Sequence, residues 1–249
     1  MAISRLSDTV DKKEMIDHAE THGMTPAQIE QYKEAERLIA QWRELGVRAS
    51  KLLYSARDGI AGIDWFDHRH HMLNPSVEFT DFWTLSGDNA VSKMPLDSTV
   101  LDLCCGDGFY DYYFYRNRAA SIKAVDISAQ AIALARREHA APNIEYMVCD
   151  VRTWAFGGPY DVVICRGAIE HFTESEQRDI FARVNDSLKP YGWFCGDTVT
   201  PVAGNLAHKC EWADEHEMIN ALGAVFDFVD VETVVSRGRT TLLWRCQKC

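Results

Sequence analysis

Short apolar runs alternate with segments of helical spacing from Leu96 to the C-terminus. Five of the runs have the length and composition of buried strands: Val100–Leu103, Ile122–Val125, Ile144–Val148, Tyr160–Cys165 and Trp193–Val199. Two further runs, Val225–Val235 and Thr240–Cys246, predict a closing antiparallel pair. The alternation predicts an α/β fold in which a mostly parallel sheet carries helices on both faces.

Polar residues at the start of several helical segments match the requirements of helix capping. Ser128 precedes a segment that runs to about His139, and Thr173 with Glu176 forms a capping box before another helix. Other predicted elements are a helix over Phe109–Arg118, a turn over Lys189–Gly192 and a helix over Glu211–Leu222. These signals place helices between strands, as parallel connections require.

The first part of the chain shows helical periodicity and no alternating strands. The motif Thr25–Gln28 has a Thr cap followed by Pro, and apolar residues then recur at helical spacing. A second helical piece is predicted over Val47–Arg57. We therefore expect residues 1–95 to form an N-terminal helical extension and lid, and residues 96–249 to form the main domain. The single apolar face of these helices offers a surface for a homodimer.

An irregular segment over Ile63–Trp83 is dense in aromatic residues and histidines. Long irregular segments in compact domains often serve as lids or binding loops, so we expect this one to face the substrate. The candidate substrate-binding residues are Trp65, His70, His71 and Trp83. Plain surface packing is the alternative role. No cluster of Cys or Asp ligands accompanies the histidines, so no metal site is predicted.

The stretch Thr99–Gly108 joins a strand to a tight glycine turn, and a helical segment follows it. This order forms the entry to a nucleotide-type pocket in an open α/β sheet. Where a dinucleotide fingerprint has its third glycine, this chain has Asp111, and Asp107 lies inside the turn. Two carboxylates near a helix start repel phosphate and suit a cationic ligand. S-adenosylmethionine carries a sulfonium and an ammonium group and has that chemistry.

The composition narrows the range of partners. The formal net charge is −11 and the chain has no long run of Lys and Arg, which disfavours nucleic acid. No apolar run approaches the roughly 20 residues of a membrane helix, so no membrane partner is expected. The polar N-terminus does not resemble a signal peptide, so most of the 8 cysteines are expected as reduced thiols in a cytoplasmic protein. A small-molecule substrate fits this charge best.

Polar residues end four of the predicted strands, at the edge where ligands bind in open α/β sheets. These residues are Asp102, Asp126, Asp150 and Arg166. Asp126 lies about 20 residues beyond Gly106, the offset at which an acid meets ribose hydroxyls in nucleotide-binding folds. A lone Asp after a strand is usually a turn former, but three in one series favour a shared site.

At these positions the sequence resembles the class I S-adenosylmethionine-dependent methyltransferases. The resemblance rests on ordered motifs from about Leu96 onward: Val100–Gly108, Val125–Ser128, Cys149–Val151, Tyr160–Cys165 and Ile169–Phe172. It implies S-adenosylmethionine as cofactor and a Rossmann-like, seven-stranded, mostly parallel sheet with one reversed strand. One position departs from the family pattern, because Cys104 stands where relatives usually have glycine.

The resemblance also implies which residues would contact each part of the cofactor. The implied cofactor-binding residues are Asp102, Cys104 and Gly106 at the methionine end, Asp126 and Ile127 at the ribose, Asp150 and Val151 at the adenine, and Arg166, whose backbone would lie near the ammonium group.

Methyl transfer from a sulfonium needs a base only where the acceptor loses a proton. Glu170 and His171 follow the fourth strand and are the candidate catalytic residues, with a packing role as the alternative; His208 is a weaker candidate. The Asn/Asp-Pro-Pro-Tyr motif of many nucleic-acid and protein methylases is absent there, and Arg166–Ile169 stands in its place. We expect transfer to an O or N atom of a small molecule, such as a sugar or natural-product intermediate. A non-catalytic cofactor-binding or scaffold subunit that regulates a partner is the second hypothesis.

Overall fold

The structure is a computed structural model, and it describes residues 24–35, 37, 38, 41, 45, 80–201, 207–236 and 239–248. The chain divides into two compact units, Met1–Leu53 and Tyr54–Cys249. The domain boundary expected after residue 95 stays a prediction.

In the first unit, residues 26–35 are helical and begin at the predicted cap. The backbone amide of Thr25 donates to Gln28 Oε1 at 2.8 Å, and the amide of Gln28 donates to Thr25 Oγ1 at 3.4 Å. This reciprocal pair satisfies two amides that a helix start leaves without a partner. The second helix, expected over Val47–Arg57, lies outside the described residues.

In the second unit, seven strands form one sheet among the described residues. The strands are β1 (Ser98–Leu103), β2 (Ala119–Asp126), β3 (Ile144–Val148), β4 (Tyr160–Arg166), β5 (Leu188–Val199), β6 (Phe228–Ser236) and β7 (Arg239–Gln247). Their order across the sheet is β3-β2-β1-β4-β5-β7-β6. Strands β1 to β5 are parallel, and β7 runs antiparallel to both β5 and β6. The predicted Rossmann-like α/β architecture is confirmed.

Four α-helices accompany the sheet in the described part of this unit: α1 (Thr80–Val91), α2 (Ala129–Glu138), α3 (Glu174–Ser187) and α4 (Glu215–Gly223). Two of them begin at the predicted caps. Ser128 Oγ accepts from the Ala131 amide at 3.2 Å, and Thr173 with Glu176 forms the complete capping box. These local signals are readable from sequence because each depends on residues three positions apart.

The core lies on both faces of the sheet, because alternate strand residues point to opposite sides. Leu101 and Val163 belong to one buried cluster, whereas Val100 and Val162 belong to the other. Helix α1 is fixed to the sheet by Asn89, whose side-chain amide donates to the carbonyl oxygens of Gly196 at 3.3 Å and Trp244 at 3.1 Å. Helix α1 is therefore held against strands β5 and β7.

Three predicted boundaries differ from the structure. The helix after the glycine turn ends in a π-helical turn, Asp111–Tyr115, in which the Arg116 amide donates to Asp111 O at 2.8 Å. The expected turn over Lys189–Gly192 is instead an irregular start of β5, where Tyr191 has a φ of 61°. Helix α4 begins at Glu215, where Asp214 caps it, and not at Glu211.

Candidate active site

The glycine turn leaves β1 and packs against neighbouring strands. The Cys105 amide donates to Val125 O at 2.9 Å, and the Gly108 amide donates to Cys105 O at 3.1 Å. Gly108 has a φ of +71°, and a Cβ there would lie 2.4 Å from the hydroxyl oxygen of Tyr146. Both the backbone conformation and the close contact therefore require glycine at this position.

Cys104 occupies the position where the sequence pattern leads one to expect glycine, and its backbone adopts a glycine-like conformation. Its φ is 62°, in the left-handed region. A side chain in that region costs roughly 1–2 kcal/mol. The Cys104 side chain is partly buried against the core cluster that contains Leu103 and Cys165. The turn thus keeps its shape in spite of the Cβ, with strain stored at the predicted cofactor loop.

Asp126 ties the end of β2 to the glycine turn. Its Oδ2 accepts from the Gly106 amide at 3.0 Å, and its Oδ1 accepts from the Ser128 amide at 2.8 Å. Burial raises the pKa of Asp126, while the two backbone hydrogen bonds oppose the shift. The side chain of the next residue, Ile127, is 62% exposed at the same edge. An acid beside an exposed apolar side chain suits a ligand with both a diol and a flat ring.

A buried pair of carboxyl groups lies below the turn. Asp102 is 3% exposed and Asp111 is fully buried. Burial raises the pKa of Asp102 to about 7, although the Asp111 carboxyl and the Arg166 charge act in the opposite direction. Burial and the charge of Asp102 raise the pKa of Asp111 well above its ordinary value. The pair therefore holds a proton near neutral pH, and a cation beside it would favour the charged form.

Arg166 turns its side chain toward β5 and helix α1. Its Nε lies 2.9 Å from Asp197 Oδ2 and donates to Ser86 Oγ at 2.6 Å. Its guanidinium carbon lies 3.4 Å from the ring centre of Tyr110. Burial would lower the pKa of Arg166, but the charges of Asp197, Tyr110, Tyr115 and Asp102 together outweigh it, so the net shift is upward. The side chain is thus committed to this network, and the ligand role expected of Arg166 concerns its backbone.

The third acidic strand end lies further from the turn. Asp150 follows β3, and its carboxylate accepts from Arg152 Nε at 2.9 Å and Nη2 at 2.6 Å. These bonds lower the pKa of Asp150. The side chain of the neighbouring Val151 is buried in the core, 4% exposed. Asp102, Asp126 and Asp150 therefore end or follow three adjacent strands, in the order that the sequence predicts.

Glu170 and His171 lie in a 3-10 turn, Ile169–His171, after β4. Glu170 is 3% exposed, and its Oε2 accepts from Thr198 Oγ1 at 2.9 Å. Burial raises the pKa of Glu170. The exposed His171 donates from Nδ1 to Ala207 O at 3.1 Å, and its ring lies 5.0 Å from that of His208. This arrangement brings titratable groups to the carboxyl end of β4, beside the strands that carry the acidic residues.

Most of the expected substrate-binding residues lie in a segment that the structure does not describe. Trp65, His70 and His71 lie outside the described residues, and so does the side chain of Trp83, whose backbone belongs to α1. Their role stays a prediction.

Sequence reasoning did not include several groups that the structure brings to this edge. They are Ser86, Asp197 and Glu211, together with His208, which ranked only as a weak candidate. A signal existed for Asp197, because it follows the apolar run Phe194–Gly196 as the other acids follow theirs. No local signal marks Ser86, since its partner Asp197 lies 111 residues away.

Comparisons with known proteins bear on this geometry. Residues 100–192 match a family described as "Methyltransferase domain". The chain is 32% identical over 97 residues to trans-aconitate 2-methyltransferase of Azoarcus sp. (strain BH72), a stretch that covers 38% of each chain. The chain spans between 25% and 54% of the length of the curated relatives it matches.

Two solved structures share the fold. N-methyltransferase NodS from Bradyrhizobium japonicum WM9, in complex with S-adenosyl-l-homocysteine, gives a TM-score of 0.61 at 14% identity, covering 78% of this chain and 96% of that one. The second is Burkholderia thailandensis 1,6-didemethyltoxoflavin-N1-methyltransferase with bound 1,6-didemethyltoxoflavin and S-adenosylhomocysteine. Its TM-score is 0.54 at 22% identity, and the match covers 68% of this chain and 81% of that one. Within the described part of this chain, no helix has the length and apolarity needed to cross a membrane.

Proposed function

We propose that the chain belongs to the class I S-adenosylmethionine-dependent methyltransferases, and that it transfers a methyl group from S-adenosylmethionine to an O or N atom of a small-molecule acceptor. The matched domain covers the acidic strand ends and the glycine turn.

The observation that carries this proposal is the joined acidic edge of β1 and β2. Asp126 accepts the Gly106 amide, and the buried Asp102–Asp111 pair lies under the same turn. Carboxylates beside a glycine turn fit a ligand with a ribose diol and cationic groups, and they do not fit pyrophosphate. These residues therefore suit S-adenosylmethionine in both charge and hydrogen-bonding capacity.

We assign the residue roles from this fit. Asp126 binds the ribose hydroxyls while it continues to hold the turn. Asp102 faces the ammonium group, and a positive charge there favours its ionised form. Ile127 offers an apolar surface to the adenine. Asp150 accepts a hydrogen bond from the adenine amino group and gives up one of its hydrogen bonds with Arg152.

The bound cofactor supplies an activated methyl group, and the chain has to align the acceptor with it. Orientation of two reactants can lower a barrier by roughly 7–11 kcal/mol. Glu170 and His171 follow the neighbouring strand β4 and act on the acceptor side. They hold or remove the acceptor proton where the acceptor atom carries one.

The activities named for two similar proteins support a small-molecule acceptor. One is a trans-aconitate methyltransferase, and the other methylates 1,6-didemethyltoxoflavin. The net charge of −11 also disfavours an anionic polymer such as nucleic acid. A cytoplasmic location and a homodimer through the N-terminal helices belong to the same proposal.

A methyl-transfer screen tests the proposed function. The full-length chain is incubated with methyl-labelled S-adenosylmethionine and fractionated metabolite pools, and labelled products are detected by mass spectrometry. The expected result is at least one labelled small molecule, which is lost in Asp126→Ala and retained in Asp186→Ala, an exposed acid on α3. Binding of the cofactor without any labelled product would favour the non-catalytic subunit instead.

A further inference from the structure

A cluster of potential metal ligands lies beside the proposed acceptor side, and the sequence analysis predicted no metal there. Glu170, His171 and His208 each offer one ligand atom, and the three atoms lie within 4.8 Å of one another. Glu170 and His171 follow β4, whereas His208 follows β5, so the sheet brings the cluster together. Two histidines and one carboxylate form a ligand set used by divalent transition metals.

The surroundings orient both imidazole rings for ligation. His171 directs Nδ1 to the carbonyl oxygen of Ala207 at 3.1 Å, and His208 directs Nδ1 to the carboxylate of Glu211 in a short contact. Each acceptor takes a hydrogen from Nδ1, which fixes the tautomer that presents a lone pair at Nε2. A metal-ligating histidine is usually held by a carboxylate or a backbone carbonyl in this way.

The carboxylate of the cluster is held as well. Glu170 Oε2 accepts from Thr198 Oγ1 at 2.9 Å, and the residue is 3% exposed. A buried carboxylate carries a large desolvation cost, which a divalent cation would offset. A carboxylate has more lone pairs than the one that Thr198 uses, so Glu170 can still ligate a cation.

We propose that Glu170, His171 and His208 bind one divalent transition-metal ion, with Zn²⁺ as the leading candidate and Glu211 as the residue that orients His208. Tetrahedral ligands about 2.0–2.1 Å from zinc lie roughly 3.3 Å apart, so the three side chains close slightly around the ion. Three protein ligands leave a coordination position for water or for an acceptor heteroatom. In the metal-bound protein the His171 Nε2 lone pair is used for ligation, so the ion would meet the acceptor in place of the base proposed above. This acceptor contact rests on the proposed function, whereas metal binding itself does not.

Metal titration of the full-length protein tests the proposal. Chelator-treated protein is titrated with Co²⁺, whose visible absorption reports the ligand field, and Zn²⁺ is then added as competitor. We expect one equivalent to bind, and His171→Ala and His208→Ala to weaken Zn²⁺ affinity by more than about 100-fold. The orienting residue should have a smaller effect, so Glu211→Gln should weaken affinity by roughly 10–100-fold.

A matched control and a folding check make the result decisive. His216 lies exposed on α4, where its ring contacts the Asn220 side chain, and His216→Ala should bind metal as the parent does. Circular dichroism shows whether each variant is folded. Equal Zn²⁺ affinity in the parent, His171→Ala and His208→Ala would overturn the site, even if metal binds elsewhere, for example at His68–His71. Binding of S-adenosylhomocysteine by the chelated protein reports separately on the proposed function.

Discussion

Asp126 accepts the backbone amide of Gly106 at 3.0 Å, which joins the end of β2 to the glycine turn after β1. The residue that we assign to the ribose therefore also holds the glycine turn in place. A ligand that binds Asp126 meets a carboxylate already held in place, and this preorganisation reduces the entropy cost of binding.

Replacing Asp126 tests the ribose assignment. Asp126→Ala should weaken binding of S-adenosylhomocysteine by about 1.5–3 kcal/mol, the scale of a hydrogen bond to a charged group. Asp186→Ala removes an exposed carboxylate of the same charge and should leave affinity unchanged. Calorimetric titration measures both. Unchanged affinity in a folded Asp126→Ala protein would show that the ribose lies elsewhere.

The raised pKa of Asp102 predicts a specific pH dependence of stability. The folded-state pKa is about 7, whereas the unfolded carboxyl titrates near its ordinary value of about 3.9. Between these values the folded state binds more protons, so the free energy of unfolding falls as pH rises, by up to about 1.4 kcal/mol per pH unit. Above pH about 7 the stabilisation that Asp102 contributes to the folded state is fully lost.

Asp102→Asn should remove that contribution. From pH 5 to pH 8 the thermal midpoint of the parent should therefore fall relative to that of Asp102→Asn. Scanning calorimetry measures both midpoints. Asp88→Asn alters an exposed acid on α1, and its thermal midpoint should change with pH as that of the parent does. A constant difference between Asp102→Asn and the parent would contradict a titrating buried Asp102.

The left-handed backbone at Cys104 predicts an inverted preference between glycine and alanine. Both Cys104→Gly and Cys104→Ala lose the sulfur, but only alanine keeps a Cβ at a φ of 62°. Glycine should therefore be more stable than alanine here by about 1 kcal/mol, the reverse of the order in regular structure. Urea unfolding of the two variants measures the difference. Greater stability of Cys104→Ala would show that the backbone at this position is unstrained.

Gly108 should be intolerant of any side chain. A Cβ at this position would lie 2.4 Å from Tyr146 Oη at a φ of +71°, so Gly108→Ala should cost more than about 2 kcal/mol and weaken cofactor binding. Gly223 is the last residue of helix α4, and a Cβ added there would have no atom within 4 Å. Gly223→Ala is the matched control and should be neutral or slightly stabilising. Equal unfolding midpoints for both variants would contradict the packing of the turn.

Features set by nearby residues were predictable from the sequence. The cap at Ser128 and the capping box at Thr173 depend on contacts within three residues, and both are present. The buried strands were readable because parallel strands covered on both faces give continuous apolar runs. The reversed last strand followed from two successive apolar runs together with the family resemblance.

Features set by contacts between distant segments were not predictable. The side chain of Arg166 contacts Asp197 on the neighbouring strand β5 and Ser86 on α1. No local sequence pattern predicts contacts between segments so far apart in the chain. The approach of His208 to His171 depends on the path of the chain beyond β5. The π-helical turn at Asp111–Tyr115 likewise has no simple periodicity by which sequence could reveal it.

The central claim is that the acidic edge of β1 and β2 binds the cofactor. Isothermal titration of the full-length chain with S-adenosylhomocysteine tests it most directly, since this product keeps the ribose, adenine and ammonium groups. We predict saturable binding at one site, weakened by Asp126→Ala and retained in Asp186→Ala. Absence of binding by the folded parent protein to either S-adenosylhomocysteine or S-adenosylmethionine would contradict the claim.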